Sequence, residues 1–227
     1  MHYLIQSGPA CRDERNLFAA TDHQRTIITY DELVPVADPS ATVPVGSVEF
    51  VRRYADVNRI RLPDSDTYPE SLRWALRRPV QSCEFSAVPP GFFCKPLRTK
   101  AFTGGIAAGI TEVVDPSEPV WCSPPIQILA EFRTYIINGR VVGSSRYDDG
   151  DNEAELEIDF VHRMIAAYSN APAGYALDVG ITDTGSLLVE ANDGWALGYY
   201  RWGNMSGLDY IKVLTERWME IVDHGTR

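Results

Sequence analysis

Tyr175-Ala-Leu-Asp-Val-Gly-Ile-Thr-Asp-Thr-Gly-Ser-Leu-Leu-Val-Glu-Ala-Asn-Asp-Gly194 is the stretch whose reading decides the fold. Tyr175, Leu177, Val179 and Ile181 alternate as one strand, and Leu187 and Val189 mark a second. Between them Asp183-Thr184-Gly185 reads as a three-residue hairpin loop, with Gly185 in the left-handed position. That loop predicts Asp178 directly across from Glu190, with Asn192 on the same face as Glu190. Two carboxylates and an amide oxygen converging from apolar strands are costly unless something satisfies them. A hard, oxygen-seeking cation such as magnesium, arriving with phosphates, suits that donor set. The bland reading is the solvent side of an antiparallel hairpin, and this segment alone does not exclude it.

Two further regions carry chemistry. The first is Gly91-Phe-Phe-Cys-Lys-Pro-Leu-Arg-Thr-Lys-Ala-Phe-Thr-Gly-Gly105. Residues 92–95 read as a strand presenting Lys95 at its end, and a loop with Arg98, Lys100, Thr103, Gly104 and Gly105 follows. Glycines let backbone N–H groups approach phosphate oxygens, so this is a candidate phosphate grip. It is neither a Walker loop nor a dinucleotide fingerprint. A basic surface turn is the alternative. The second is Ile128-Leu-Ala-Glu-Phe-Arg-Thr-Tyr-Ile-Ile-Asn-Gly-Arg-Val-Val-Gly-Ser-Ser-Arg-Tyr147. Asn138-Gly139 between β-rich runs predicts a type I′ turn. In an unbroken register Arg133 faces Ser144 and Glu131 faces Arg146. That register places Glu131, Arg133, Ser144 and Arg146 on one face, suited to bidentate binding of phosphate or carboxylate. A solvent-side Glu131–Arg146 ion pair is the alternative.

The 227 residues suffice for a sizeable core. The formal net charge of −10 argues against a broad phosphate-neutralising face, so no nucleic-acid partner is expected. The first residues lack a secretory signal, and no apolar run reaches bilayer-spanning length. Cys11, Cys83, Cys94 and Cys122 show no C-x-x-C spacing. A cytoplasmic protein with no membrane partner is expected.

Residues 2–6 and 26–30 read as strands of a small α/β unit, and Ser47 as the N-cap of a helix carrying Val48, Val51, Tyr54 and Ala55 inward. Pro69 starts and Pro79 stops a helix with Leu72, Ala75 and Leu76 inward. Residues 121–126, with paired prolines, form a stiff connector. A helix is expected over residues 152–168 with Ile158, Val161, Ile165 and Tyr168 inward, and another over 206–222 with Leu208, Ile211, Leu214, Trp218 and Ile221 inward. His162 falls on the polar side. Trp195, Tyr199, Tyr200 and Trp202 form an aromatic cluster, core packing being the first reading.

In their order, Phe-Phe-Cys-Lys-Pro with a glycine loop, Glu-Phe-Arg…Gly-Arg-Val-Val…Arg-Tyr, and Leu-Asp-Val-Gly…Val-Glu-Ala-Asn resemble the ATP-grasp superfamily, especially its short bacterial and phage clade with two site arginines and a lysine. The resemblance covers residues 92–202. It implies an α+β fold in which two lobes with antiparallel sheets clasp a nucleotide, preceded by an abbreviated α/β unit. Residues 1–85 are then the N-terminal region and 86–227 the catalytic region. It also implies ATP and magnesium as cofactors. Lys95, Lys100 and the Thr103-Gly104-Gly105 loop contact phosphates, and the backbone of Trp121, Cys122 and Ser123 reads adenine. Glu131 belongs to the nucleotide side. Asp178, Glu190 and Asn192 carry magnesium, and Arg133 and Arg146 hold the γ-phosphate or the substrate carboxylate. The implied activity joins a carboxylate to an amine through an acyl-phosphate, on a small molecule or peptide. A catalytically inactive ATP-binding module and a paired-carboxylate hydrolase are the alternatives.

Overall fold

The computed structural model describes residues 1–64, 66–97, 101–148, 153–201 and 203–225. Arg98, Lys100, Trp202 and the expected helix start at Asn152 lie outside the described residues. Among the described residues the chain forms three sheets.

The first is a parallel sheet in the order β2-β1-β3, from β1 (His2–Gln6), β2 (Gln24–Ile28) and β3 (Thr42–Val45). β2 begins and ends two residues earlier than its sequence suggests. Thr29 leaves the strand because its N–H and hydroxyl both donate to Glu32, closing a capping box. Helix α1 (Arg12–Ala19) follows β1. Helix α2 (Val48–Asn58) starts at Ser47, whose hydroxyl accepts the Phe50 N–H at 3.3 Å, and buries Val48, Phe50, Val51, Tyr54 and Ala55.

The second sheet, in the order β4-β7-β5-β6, is antiparallel: β4 (Gln81–Glu84), β5 (Phe93–Pro96), β6 (Gly105–Ile106) and β7 (Pro119–Ser123). Its strand β4 begins before residue 86, so this lobe reaches back across the expected boundary. The predicted turn of helix is a 3-10 helix at Glu70–Leu76, with Leu72, Ala75 and Leu76 buried as expected.

The third sheet runs β11-β10-β8-β9, antiparallel throughout: β8 (Ala130–Ile137), β9 (Arg140–Arg146), β10 (Gly174–Thr182) and β11 (Gly185–Asp193). One face, with Ile136, Tyr175, Leu177, Val179 and Leu188, packs on Glu70–Leu76 and helix α3 (Ile158–Ala167). On the other, Tyr135 and Ala176 share a core with helix α4 (Gly207–Gly225) and with β1, β3 and α2. The parallel unit and the large sheet therefore share one hydrophobic core across the expected domain boundary.

Both helices depart from their expected faces. α3 starts at Ile158, because Ala154 and Leu156 reach the core two residues apart, as an extended chain does, while Glu157 is drawn to the Ser186 N–H at 3.2 Å. Its core residues are Phe160, Val161 and Met164, and Ile158 is exposed. α4 buries Ile211, Leu214, Trp218 and Ile221 as expected but leaves Leu208 exposed.

Two bulges set the registers. At the tip of β8–β9, Asn138 (φ 47°) and Gly139 (φ 74°) form the predicted left-handed turn and Ile137 faces Arg140. Val142 is then the extra residue: Ile136 faces Val141 and Tyr135 faces Gly143, so Arg133 faces Ser145 and Phe132 faces Arg146. Gly143 seats the bulged strand against Met205, where a Cβ would lie 2.7 Å from the Met205 Cα. The expected pairs Arg133–Ser144 and Glu131–Arg146 are thus not formed. In β10–β11 the loop has two residues, Asp183 and Thr184, rather than three: Thr182 pairs with Gly185. A bulge at Val189 restores the missing residue, and Asp178 does pair with Glu190. Arg78 donates to the Leu188 carbonyl at 2.9 Å and the Val189 carbonyl at 3.5 Å, which satisfies the bulged backbone.

Candidate functional site

The second face of the large sheet changes character along its strands. Tyr135 and Ala176 lie under α4; one pair further along stand Arg133 and Asp178, with Glu190 and Asn192 beside them on β11. The Arg133 guanidinium donates to both Asp178 oxygens, at 2.8 and 2.7 Å. Asn192 Nδ2 donates to Asp178 Oδ2 at 3.0 Å. Lys95, from β5 in the small sheet, reaches across and donates to Glu190 Oε2 at 2.8 Å. Its ammonium also lies 4.3 Å from the centroid of the Tyr68 ring.

The Arg133 guanidinium stands 5.6 and 5.0 Å from the rings of Tyr147 and Tyr200, which stack on each other at 4.8 Å. The Tyr147 hydroxyl donates to Glu131. These groups form a continuous polar chain from Lys95 to Glu131 inside otherwise apolar packing.

Burial pushes the Asp178 carboxyl up, and Arg133 only partly offsets this. Burial would raise Glu190 too, but the charge and hydrogen bond of Lys95, helped by Arg133 and Asn192, hold it below the usual range. Burial also raises Glu131; the Tyr147 hydrogen bond opposes it, and the carboxylates of Asp178, Glu190 and Asp148 reinforce it. Two neighbouring carboxylates are thus pushed apart, a pattern that marks sites more often than scaffolds.

In front of Glu190 and Asn192 opens a cavity of about 720 Å³. Lys95, Thr103 and Gly104 from the small lobe wall one side, and Val48 and Glu49 at the start of α2 close another. Gly104 is required where it stands, since a Cβ there would lie 2.9 Å from Lys95 Cβ and 3.3 Å from the Cys94 carbonyl oxygen. Gly105 pairs with Cys94 in the small sheet. Trp121 is the register partner of Lys95 on β7, and its ring lies edge-on to Tyr68 at 5.5 Å; Cys122 and Ser123 are buried in that strand.

Most of the residues singled out in the sequence thus meet: Lys95, Thr103, Gly104, Glu190 and Asn192 on the cavity, with Asp178, Arg133 and Glu131 behind them. Arg146 does not join them. The bulge puts it on the opposite face from Arg133, over the Phe132 ring at 5.9 Å and bonded to Asp148 at 3.1 and 3.3 Å. The expected face bearing both arginines is therefore absent. Tyr68, Tyr147 and Glu49 carry no signal in the sequence, because only tertiary packing brings them here. Tyr200 is readable as part of an aromatic cluster, not as a partner of Arg133.

An antiparallel small lobe facing a larger antiparallel sheet that carries Asp178, Glu190 and Asn192 is the ATP-grasp architecture. A family model of the ATP-grasp domain, the third family of the clade with two site arginines and a lysine, matches residues 34–221, and the chain belongs to that family. Among solved structures, the RimK domain protein ATP-grasp from Sphaerobacter thermophilus aligns over 100% of both chains at 15% identity and a TM-score of 0.50. D-alanine–D-alanine ligase from Bacillus anthracis aligns over 100% of this chain and 97% of its own, at 10% identity and a TM-score of 0.53. These likenesses establish the fold. No curated protein matches the sequence.

Proposed function

We propose that the protein is an ATP- and magnesium-dependent ligase that joins a carboxylate to an amine through an acyl-phosphate. The observation that carries this reading is the convergence of Asp178, Glu190 and Asn192 on one cavity, faced by Lys95 and backed by Arg133. Among the described residues no three His, Cys, Asp or Glu side chains gather for a metal; the set here is two carboxylates and one amide oxygen. That all-oxygen set on adjacent strands fits a hard cation held largely through phosphates. Both carboxylates already attract a cation, Arg133 or Lys95, so the site is built for positive charge.

When bound, magnesium would neutralise charge on the nucleotide phosphates. The chain's own groups do the rest. Lys95 and the backbone around Thr103 and Gly104 hold phosphate oxygens, and the edge of β7 at residues 121–123 is placed to read adenine. The substrate carboxylate attacks the γ-phosphorus and ADP leaves; the amine then attacks the acyl carbon and expels phosphate. This chemistry needs alignment and charge neutralisation more than a protein nucleophile. The paired-carboxylate hydrolase is disfavoured because both Asp178 oxygens are held by Arg133. A small-molecule or peptide substrate suits the volume of the cavity.

The test is ADP release in the presence of a panel of amino acids and short peptides with amine acceptors. Release that requires both an acid and an amine supports the ligase. ATP binding with no release across the panel would favour a nucleotide-binding module instead.

A further inference from the structure

Asp193, which follows Asn192, has no role in the proposed chemistry, yet it is held with unusual completeness. Arg217 on α4 donates to both of its oxygens, at 2.6 and 2.7 Å, and Asp193 accepts the Trp195 N–H. Both partners are about nine-tenths buried. Arg217 also donates to Glu220 at 2.6 Å, and Glu220 accepts the Ala173 N–H at 2.8 Å. One helical side chain thereby ties the end of β11 and, through Glu220, the start of β10, where Tyr175 pairs with Asp193. Two glycines permit this. A Cβ on Gly174 would overlap the Val213 carbonyl of α4, and one on Gly194 would overlap the Gly174 carbonyl and approach Arg217 Cβ to 3.0 Å.

We propose that Arg217 and Asp193 are positioning residues: through them α4 fixes the strand ends whose neighbours are Asn192 and Glu190 on β11 and Asp178 on β10. The assignment rests on the proposed magnesium–nucleotide site. A bidentate guanidinium–carboxylate pair sets distance and orientation, which a lone charge does not. Asn192 is the residue next to Asp193, so a slip of the strand end is passed directly to the proposed metal ligands.

The test uses the full chain with Asp193→Asn and Arg217→Lys, and with Asp193→Asn plus Arg217→Gln, which removes both charges should a single variant fail to fold. Amide hydrogen exchange without ligand is expected to speed up across residues 190–195 and stay unchanged across 130–146. The magnesium concentration needed for ADP binding is expected to rise about tenfold or more, with metal-free ADP affinity unchanged. A lowered melting temperature with an unaltered exchange profile at 190–195 and an unaltered magnesium midpoint would overturn the assignment and leave the pair a mere stabiliser. Should the wild type bind no nucleotide, the proposed function fails by itself; the exchange profile still decides the role of the pair.

Discussion

Lys95 Nζ lies 2.8 Å from Glu190 Oε2, and the two residues come from different sheets. This bond spans the cleft between the small lobe and the large sheet. It also places a cation where phosphate oxygens and a metal-binding carboxylate would otherwise compete for it. The ordinary worth of a partly exposed ion pair is small, about 0–1 kcal/mol, so its interest is functional.

Lys95→Met should therefore cost little stability and weaken ATP binding strongly, because the ammonium is lost while Glu190 remains. Calorimetric titration of ATP with magnesium, set beside a thermal melt, separates the two effects. A variant that melts as wild type and binds ATP as wild type would remove Lys95 from the phosphate site.

Acid sensitivity follows from the opposed carboxylates. Glu190 sits below its ordinary value in the folded chain, so its contribution to stability is present above the ordinary carboxylate range and fades as pH falls through the depressed value. Asp178 is raised, so its sign is opposite: the folded state holds its proton more tightly, and stability is lost as pH rises from the ordinary value through the raised one. Glu190→Gln should flatten the stability loss between neutral pH and about pH 3, where carboxylates titrate. Melts of both proteins across that range check it; parallel curves would count against the Lys95–Glu190 pairing.

Arg133 and Arg146 should behave differently, though the sequence presents them as equals. Asp178→Asn leaves Arg133 buried beside a neutral group and should destabilise the fold by about 3–5 kcal/mol, as breaking one side of a buried pair does. Arg133→Met should abolish turnover. Arg146→Met, with its partner Asp148 partly exposed on the far side, should leave nucleotide affinity near wild type. Denaturant unfolding and ATP titration of the three variants check this, and loss of ATP binding in Arg146→Met would contradict the observed faces.

Gly174→Ala should destabilise by about 1–3 kcal/mol, the usual result of forcing atoms into a filled core, because its Cβ meets α4 backbone that cannot rotate away. Gly91→Ala, with open space around it, should be neutral. Chemical denaturation of the pair reads the difference.

The three β-rich regions are legible in the sequence because turns and alternation are local properties. Asn138-Gly139 specifies its turn, and the apolar alternation of β10 specifies its strand. The bulges at Val142 and Val189 are not legible, since each answers a distant contact: Met205 against Gly143, and Arg78 reaching the carbonyls of Leu188 and Val189. One bulge moves Arg146 off the expected face. The other compensates a loop one residue shorter than expected, so the Asp178–Glu190 pair forms by a different route. The start of α3 escapes a local reading because acidic residues 153–157 suit a helix N-terminus, while Leu156 and Glu157 have tertiary partners that favour extended chain.

The central claim is that Glu190 and its neighbours hold a magnesium–nucleotide complex. Its most direct measurement is calorimetric titration of ATP into wild type and Glu190→Ala, each with and without magnesium. The prediction is binding to wild type that tightens with magnesium, and loss of that tightening in Glu190→Ala while the variant stays folded. Absence of binding to the folded wild type at millimolar ATP, or equal magnesium dependence in the two proteins, would contradict it.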